Sequence, residues 1–418
     1  MRKFLLGNAN NILRRSYIWN TIGGLLNAGQ SAILLIVISR TNSVEDAGVF
    51  SIAYAIACLT LTLGKWGMRN FQATDVQEKY DYSIYVSSRI ITCILMAGLT
   101  LFYIFKGIIV SDYSMDKCYV ILLMGLLKLL DAVEDIVHGM FQRKGRLDVG
   151  AKCMTIRYMV MLCSCIICLC LTHELVVSLG VSFVLSGIFF LWSTFTVYGE
   201  FREKITISFV DKRVWCLLGE CFSLFAGSFL MIYIANAPKY AIDEYMNETV
   251  QACFNYIFMP VYVISVLNTF VYQPVLTRLA VYYEERRHGE FIHLFLRQLI
   301  IIFGLALCVI LCGFLFGIPV LSVLYNTELS KYKLSFIILL VGGSFLAISG
   351  YLGVVITILR KQSWLLIGYV IAALIAFFAA KPLTLQFGEI GASVLYTGIV
   401  LLQALVFTVI FIRFYRKD

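Results

Sequence analysis

Lys128, Asp131, Glu134, Asp135 and His138 all fall within one apolar stretch, residues 118–141, of a 418-residue chain. Lys128, Asp131, Asp135 and His138 are spaced three and four apart, so on a helix they form one stripe with Glu134 beside it. An ionisable side chain at bilayer depth costs about 2.5–3.5 kcal/mol on insertion scales, and five within about three turns cannot all face lipid. They must face a protein interior or a water-filled cavity. There the stripe could bind a charged head group, relay protons or coordinate a coupling cation. It could equally be an internal ion-pair set that holds the helix against its neighbours, or lie wet at a cavity mouth in its lower part. A membrane protein with such a cavity is expected to move something polar.

Further candidates are cations expected at helix ends: Arg40 and Lys239 on one side of the bilayer, Arg69 and Arg360 on the other. Arg presents a planar fork suited to a diphosphate and Lys a compact point charge. The alternative for each is an interface anchor with its head group in water. Asn27, Gln30, Asn236, Asn255 and Asn268 are uncharged polar groups at depth, expected to join helices or to meet sugar hydroxyls.

The elements that must position these residues are membrane spans. The chain is 60% hydrophobic and 14% charged, with mean hydropathy +0.86. Soluble domains carry about 25% charged residues, which excludes a soluble globular protein. Apolar runs of about 20 residues fall near 18–39, 46–67, 83–105, 118–141, 150–171, 175–199, 214–236, 251–272, 295–316, 334–357, 363–381 and 390–413. The run at 18–39 is too long for a signal-peptide core and is expected to be a permanent span. The longest connection, 273–294, is expected to be amphipathic or at the surface. The 13 cysteines are scattered through apolar runs and suggest neither a disulfide framework nor a metal site. There is no phosphate-binding glycine loop, no nucleophile elbow and no extramembrane domain for a sugar nucleotide, so an enzyme is not expected.

Charge sets the expected orientation. Of the 34 Lys and Arg, 25 fall on the side of the N-terminal tail and the even-numbered connections, among them Arg143, Lys144, Arg146, Lys152 and Arg157. Seven fall on the other side, and Arg89 and Lys128 lie within spans. This asymmetry places both termini in the cytoplasm and assigns the net charge of +9 to topology, with no nucleic-acid partner. The loop at 200–213 divides the chain into two sets of six spans, residues 1–205 and 206–418. Each set places a cation at the outer end of its first helix before a second helix rich in small residues, a plan compatible with a parallel repeat. The fold expected is all-α integral membrane, about twelve transmembrane helices in two six-helix lobes with a central cavity.

Gly48-Val49-Phe50-Ser51, followed by Gly67-Met68-Arg69-Asn70-Phe71-Gln72-Ala73-Thr74-Asp75, resembles the first-lobe pattern of the Wzx-like bacterial polysaccharide flippases. Asn236-Ala237-Pro238-Lys239-Tyr240-Ala241-Ile242-Asp243, Phe258-Met259-Pro260 and Ile358-Leu359-Arg360-Lys361-Gln362 resemble its second-lobe pattern. These flippases belong to the multidrug/oligosaccharidyl-lipid/polysaccharide exporter superfamily. The resemblance implies alternating access between two six-helix lobes in the bacterial plasma membrane. It implies translocation of a polyprenyl-diphosphate-linked oligosaccharide from the cytoplasmic to the outer leaflet, with other polysaccharide-assembly membrane proteins as partners. Head-group contacts would then be Arg69, Lys239, Arg40, Lys128 and Arg360. Asp131, Glu134, Asp135 and His138 would couple transport to H+ or Na+ or hold the cations, with no cofactor. A cation-coupled multidrug exporter of the same fold is the alternative, favoured by the acids of the fourth span.

Overall fold

The computed structural model describes residues 2–7, 11–75, 78–201, 203 and 205–415, and their side chains except those of 266, 269 and 270. The helices, in chain order, are α1 (Arg2–Leu6), α2 (Ile12–Thr41), α3 (Val44–Lys65), α4 (Met68–Thr74), α5 (Tyr82–Val110), α6 (Met115–Arg143), α7 (Leu147–Thr172) and α8 (Leu175–Tyr198). They continue with α9 (Lys212–Tyr245), α10 (Glu248–Tyr272), α11 (Leu276–Glu284), α12 (His288–Cys312), α13 (Ile318–Tyr325), α14 (Lys333–Ile358) and α15 (Ser363–Tyr415). No strand occurs among the described residues.

Nine segments among the described residues are long and apolar enough to cross a bilayer. Three further crossings complete the pattern. α6 has 29 residues, its apolar run interrupted by its own charges. α10 has 25 residues. α15 has 53 residues, and at Gly388 its backbone turns to φ 60°, ψ −137°. A straight helix of that length would run far beyond the roughly 30 Å hydrocarbon core, so α15 is two crossings joined at the glycine. The expected all-α membrane architecture of about twelve spans is what the chain forms. α11 is the short surface helix expected between residues 273 and 294.

Local signals start and stop these helices. Ser43 Oγ accepts from Asp46 N at 3.0 Å while Asp46 accepts from Ser43 N at 3.4 Å, a reciprocal cap for α3. Ser114 Oγ caps α6 by accepting from Lys117 N. His173 ends α7 in the left-handed region and accepts a hydrogen bond on its carbonyl from Asn42 Nδ2 at 2.7 Å.

Two helix bounds correct the sequence reading. α7 begins at Leu147, so Arg157, expected among the loop cations, lies ten residues and about 15 Å along the helix. α9 passes through Pro238 and ends at Tyr245, so Lys239 is inside a helix and not at its end. Proline is tolerated in membrane helices because neighbouring groups satisfy the released carbonyl. Moving one cation from each side into the spans leaves 24 against six, which does not change the orientation argument.

The chain divides into two compact units, Met1–Phe229 and Leu230–Asp418, whereas the sequence reading divides it at 205/206. The boundary falls inside α9 because its first turns carry Val214, Leu217, Leu218 and Cys221 into the core of the first unit, with Tyr85, Met140 and Phe141. Further along, Ile234 and Ala237 pack on Ala372, Ala373 and Ala376 of α15 in the second unit. Within the first unit α6 packs against α3, α5, α7 and α8, which enclose its charged stripe.

Candidate functional site: a charge network on one helix

All five ionisable residues of the α6 stripe are buried, from Lys128 at 3% exposure to Asp135 at 6%. Charges this deep are tolerable only when paired, and the partners come from three neighbouring elements. From α7, Arg157 donates from Nε to Glu134 Oε2 at 2.8 Å and contacts Asp131 with its terminal nitrogen, bridging two carboxylates with one planar fork. Lys128 donates to Asp131 Oδ2 at 3.0 Å, and its ammonium lies 5.1 Å from the Tyr54 ring centroid. His138 Nε2 is 3.5 Å from Glu134 Oε1. From α5, Arg89 donates to Asp135 Oδ2 at 2.9 Å and also to the carbonyl of Gly64.

The third source is the break between α3 and α4. Trp66 and Gly67 both take left-handed backbone, φ 50° and 67°. The Trp66 conformation is rare for a large residue. It is held by a hydrogen bond from Nε1 to the Leu218 carbonyl at 2.9 Å and by stacking on Phe225 at 4.0 Å between centroids. A Cβ at Gly67 would lie 2.8 Å from Leu224 Cβ. The break aims Lys65 and Arg69 at the same carboxylate, Asp135, at 3.9 Å and 3.7 Å. Arg69 also donates to Gln142 Oε1 at 3.4 Å. α4 can lie so close because Gly139 leaves room on α6: a Cβ there would fall 1.9 Å from Gln72 Oε1. The turn after α4 is fixed by Asp75, which accepts from Lys79 N, Tyr80 N and Tyr85 Oη at 2.9, 3.2 and 3.0 Å. Burial raises the Asp75 carboxyl, but these three hydrogen bonds outweigh it, and the net shift is downward.

The cations fall into two kinds. Arg157, Lys128 and Arg89 have side chains no more than 4% exposed, with contacts of hydrogen-bond length. Lys65 and Arg69 are 37% and 27% exposed at long range from a carboxylate already bound to Arg89. Five cations face three carboxylates, so the network carries a surplus of positive charge whatever the state of His138, and its accessible end is cationic. A cavity of about 10 Å³ beside Gln30, Tyr54, Lys128, Asp131 and Arg157 has room for a single water.

Of the sequence candidates, the structure brings Arg69, Lys128, Asp131, Glu134, Asp135 and His138 together. Arg40 is exposed in the last turn of α2. In the second unit Lys239 is 4% exposed, its ammonium 4.9 Å and 5.5 Å from the Phe258 and Tyr262 ring centroids. Arg360 follows α14 and forms an exposed 3.7 Å pair with Glu284, a contact of little energetic weight. Gln30 donates to Asn27 Oδ1 at 2.9 Å, while Asn236 and Asn268 donate to carbonyls on their own helices. Asn255 Oδ1 is buried without a partner. Sequence reading missed Arg157 and assigned no role to Arg89 or Lys65. The available signal was charge balance: three acids beside one lysine in a span require cations from elsewhere.

Residues 13–280, well over half of the chain, match the sequence profile of the family described as polysaccharide biosynthesis protein. The chain belongs to that family. A capsular polysaccharide biosynthesis protein, CapF of Staphylococcus aureus, is 21% identical over 371 residues, covering 87% of this family member and 89% of CapF. A structure of the lipid II flippase MurJ in an inward closed conformation superposes with TM-score 0.68 at 13% identity over 97% of this chain and 89% of that one. An inward-facing MATE-family multidrug resistance transporter of the MOP superfamily superposes with TM-score 0.64 at 14% identity over 95% and 94%. At these identities the superpositions establish a shared fold. The Wzx-like resemblance read from the sequence therefore holds at the level of family and fold, for a multi-pass membrane protein.

Proposed function

We propose that the chain is a flippase that moves a polyprenyl-diphosphate-linked oligosaccharide from the cytoplasmic to the outer leaflet of a bacterial plasma membrane by alternating access. The family, the relation to a capsular polysaccharide protein and the MurJ-like fold support a lipid-linked sugar as substrate. The uneven distribution of Lys and Arg supports cytoplasmic termini. The observation that carries the reading is the Lys65–Arg69 pair: two partly exposed cations share one carboxylate, Asp135, about two helical turns along α6 from Lys128, that Arg89 already holds. A diphosphate offers them shorter, bidentate contacts than Asp135 does. The inner network of Arg157, Lys128, Asp131 and Glu134 then serves as the rigid base that keeps this pair in place.

Coupling to H+ or Na+ belongs to the same proposal, through Asp131 and its neighbours. Asp131→Asn is expected to alter the dependence of transport on the gradient; unchanged dependence would leave Asp131 a structural role. Neutralising Arg69 or Lys239 is expected to abolish flipping at unchanged protein level, and normal translocation by both variants would refute the diphosphate assignment. The multidrug-exporter reading draws on the three acids of α6. Each of those acids is already engaged by a cation.

A further inference from the structure

Two lipid-facing grooves of similar size differ in what stands at their ends. One, about 300 Å³, is lined by Val86, Ile90, Ile94 and Val133 of α5 and α6. The one Asp, Glu, Lys, Arg or His in its lining, Arg89, has its terminal nitrogens turned to Gly64 and Asp135. The other, about 310 Å³, lies between the two halves of α15, walled by Ile367, Leu405, Val406 and Val409 and ended by Trp364 and Arg413. Val409 and Leu405 are 64% and 55% exposed, as residues facing acyl chains are. The Arg413 guanidinium lies 5.6 Å from the Trp364 ring centroid, and the Lys361 ammonium lies 5.3 Å from that of Phe414. Neither cation has a carboxylate partner among the described residues. Both cations lie beside rings that line this end of the groove, and among the described residues neither side chain makes a hydrogen bond or ion pair.

The groove's longer wall, Leu405 to Phe414, rises about 14 Å, roughly half the hydrocarbon thickness of a bilayer. This is the length of one leaflet, with the cations and the aromatic pair at the depth of the head groups. We propose that this groove holds one anionic phospholipid from the leaflet that borders the chain's C-terminal end. Its acyl chain lies along Ile367, Val406 and Val409, and its phosphate accepts from Arg413 and Lys361. The occupant is a resident bilayer lipid distinct from any transported molecule, so the inference does not depend on the flippase reading.

The test is native mass spectrometry of the full chain after exchange into mixed phosphatidylglycerol and phosphatidylcholine. One phosphatidylglycerol retained about 25-fold over phosphatidylcholine is expected. The double substitution Arg413→Gln with Lys361→Gln is expected to remove that preference, at about fivefold per charge. Arg413→Lys is expected to keep most of it, and Val409→Trp to lower retention of both lipids while leaving the cations intact. Equal retention of the two lipids by the wild-type chain, or an unchanged preference in a monodisperse double variant, would overturn the proposal. So would displacement of the retained lipid by a stoichiometric polyprenyl diphosphate, which would make the groove a port for that lipid.

Discussion

The two units use the same helical plan with different interiors. Among the described residues the first unit buries ten Asp, Glu, Lys and Arg side chains, and the second buries one, Lys239. The contrast is sharpest between α6 and α14, the fourth membrane helix of each set. α6 carries Lys128, Asp131, Glu134 and Asp135, whereas α14 has no Asp, Glu, Lys, Arg or His after Lys333 and buries Ser335, Ser344 and Ser349. The polar residues buried in the second unit are otherwise amides and hydroxyls, among them Gln251, Asn255, Asn268 and Gln403. Packing membrane helices therefore does not require charge; small and neutral residues suffice. The charge set in the first unit needs a reason beyond helix association, and the proposed head-group site at Lys65 and Arg69 would supply one.

Substitutions can break this comparison, and the largest effect belongs to Arg157. Arg157→Met leaves Asp131 and Glu134 without their shared partner and is expected to cost about 3–5 kcal/mol. This would be read as loss of monodisperse protein in detergent or a large fall in Tm. Adding Asp131→Asn and Glu134→Gln should restore much of the loss, since a network neutralised as a whole leaves less unpaired charge. If Arg157→Met alone is as stable as wild type, the ion-pair account of the first unit is wrong.

The next effect is one of kind. Lys65→Gln and Arg69→Gln remove half-exposed, long-range pairs and should shift stability by no more than about 1 kcal/mol, while abolishing translocation. A Tm loss in these variants as large as that of Arg157→Met would merge the two kinds of cation into one.

In the second unit, Lys239→Met replaces an ammonium packed against two rings with an apolar chain of similar length. The expected loss of stability is smaller than that of Arg157→Met, because Arg157 bridges two buried carboxylates whereas Lys239 is the one Asp, Glu, Lys or Arg side chain buried in its unit among the described residues. A collapse comparable to that of Arg157→Met would show that the second unit also depends on buried charge.

The smallest effect concerns the turn after α4. The carboxyl of Asp75 is held below its usual value of 3.8. Its contribution to stability is therefore full above about pH 4 and is lost as pH falls through the lower folded value. Asp75→Asn should flatten the acid side of the Tm profile between about pH 5 and pH 3, and an unchanged profile would remove Asp75 as the anchor.

The spans were legible because a bilayer demands about 20 apolar residues, and that demand is written locally. The α6 stripe was legible for the same reason in reverse, since ionisable residues stand out in an apolar run. Arg157 was not, because cations close to a span end look like loop residues until the helix start at Leu147 is known. Lys239 was misplaced because Pro238 reads as a helix end in water, while α9 continues past it in the structure. Which acid meets which base was out of reach, because Arg157, Arg89 and the 65–69 break come from three elements whose packing is a property of the folded unit.

The most direct test is translocation of a fluorescent polyprenyl-diphosphate oligosaccharide in proteoliposomes, comparing wild type with Lys65→Gln and Arg69→Gln and measuring organic-cation efflux on the same preparations. The account predicts flipping by the wild-type chain without cation efflux, and loss of flipping in both variants at unchanged Tm. Cation efflux without flipping, or full flipping by both variants, would contradict it.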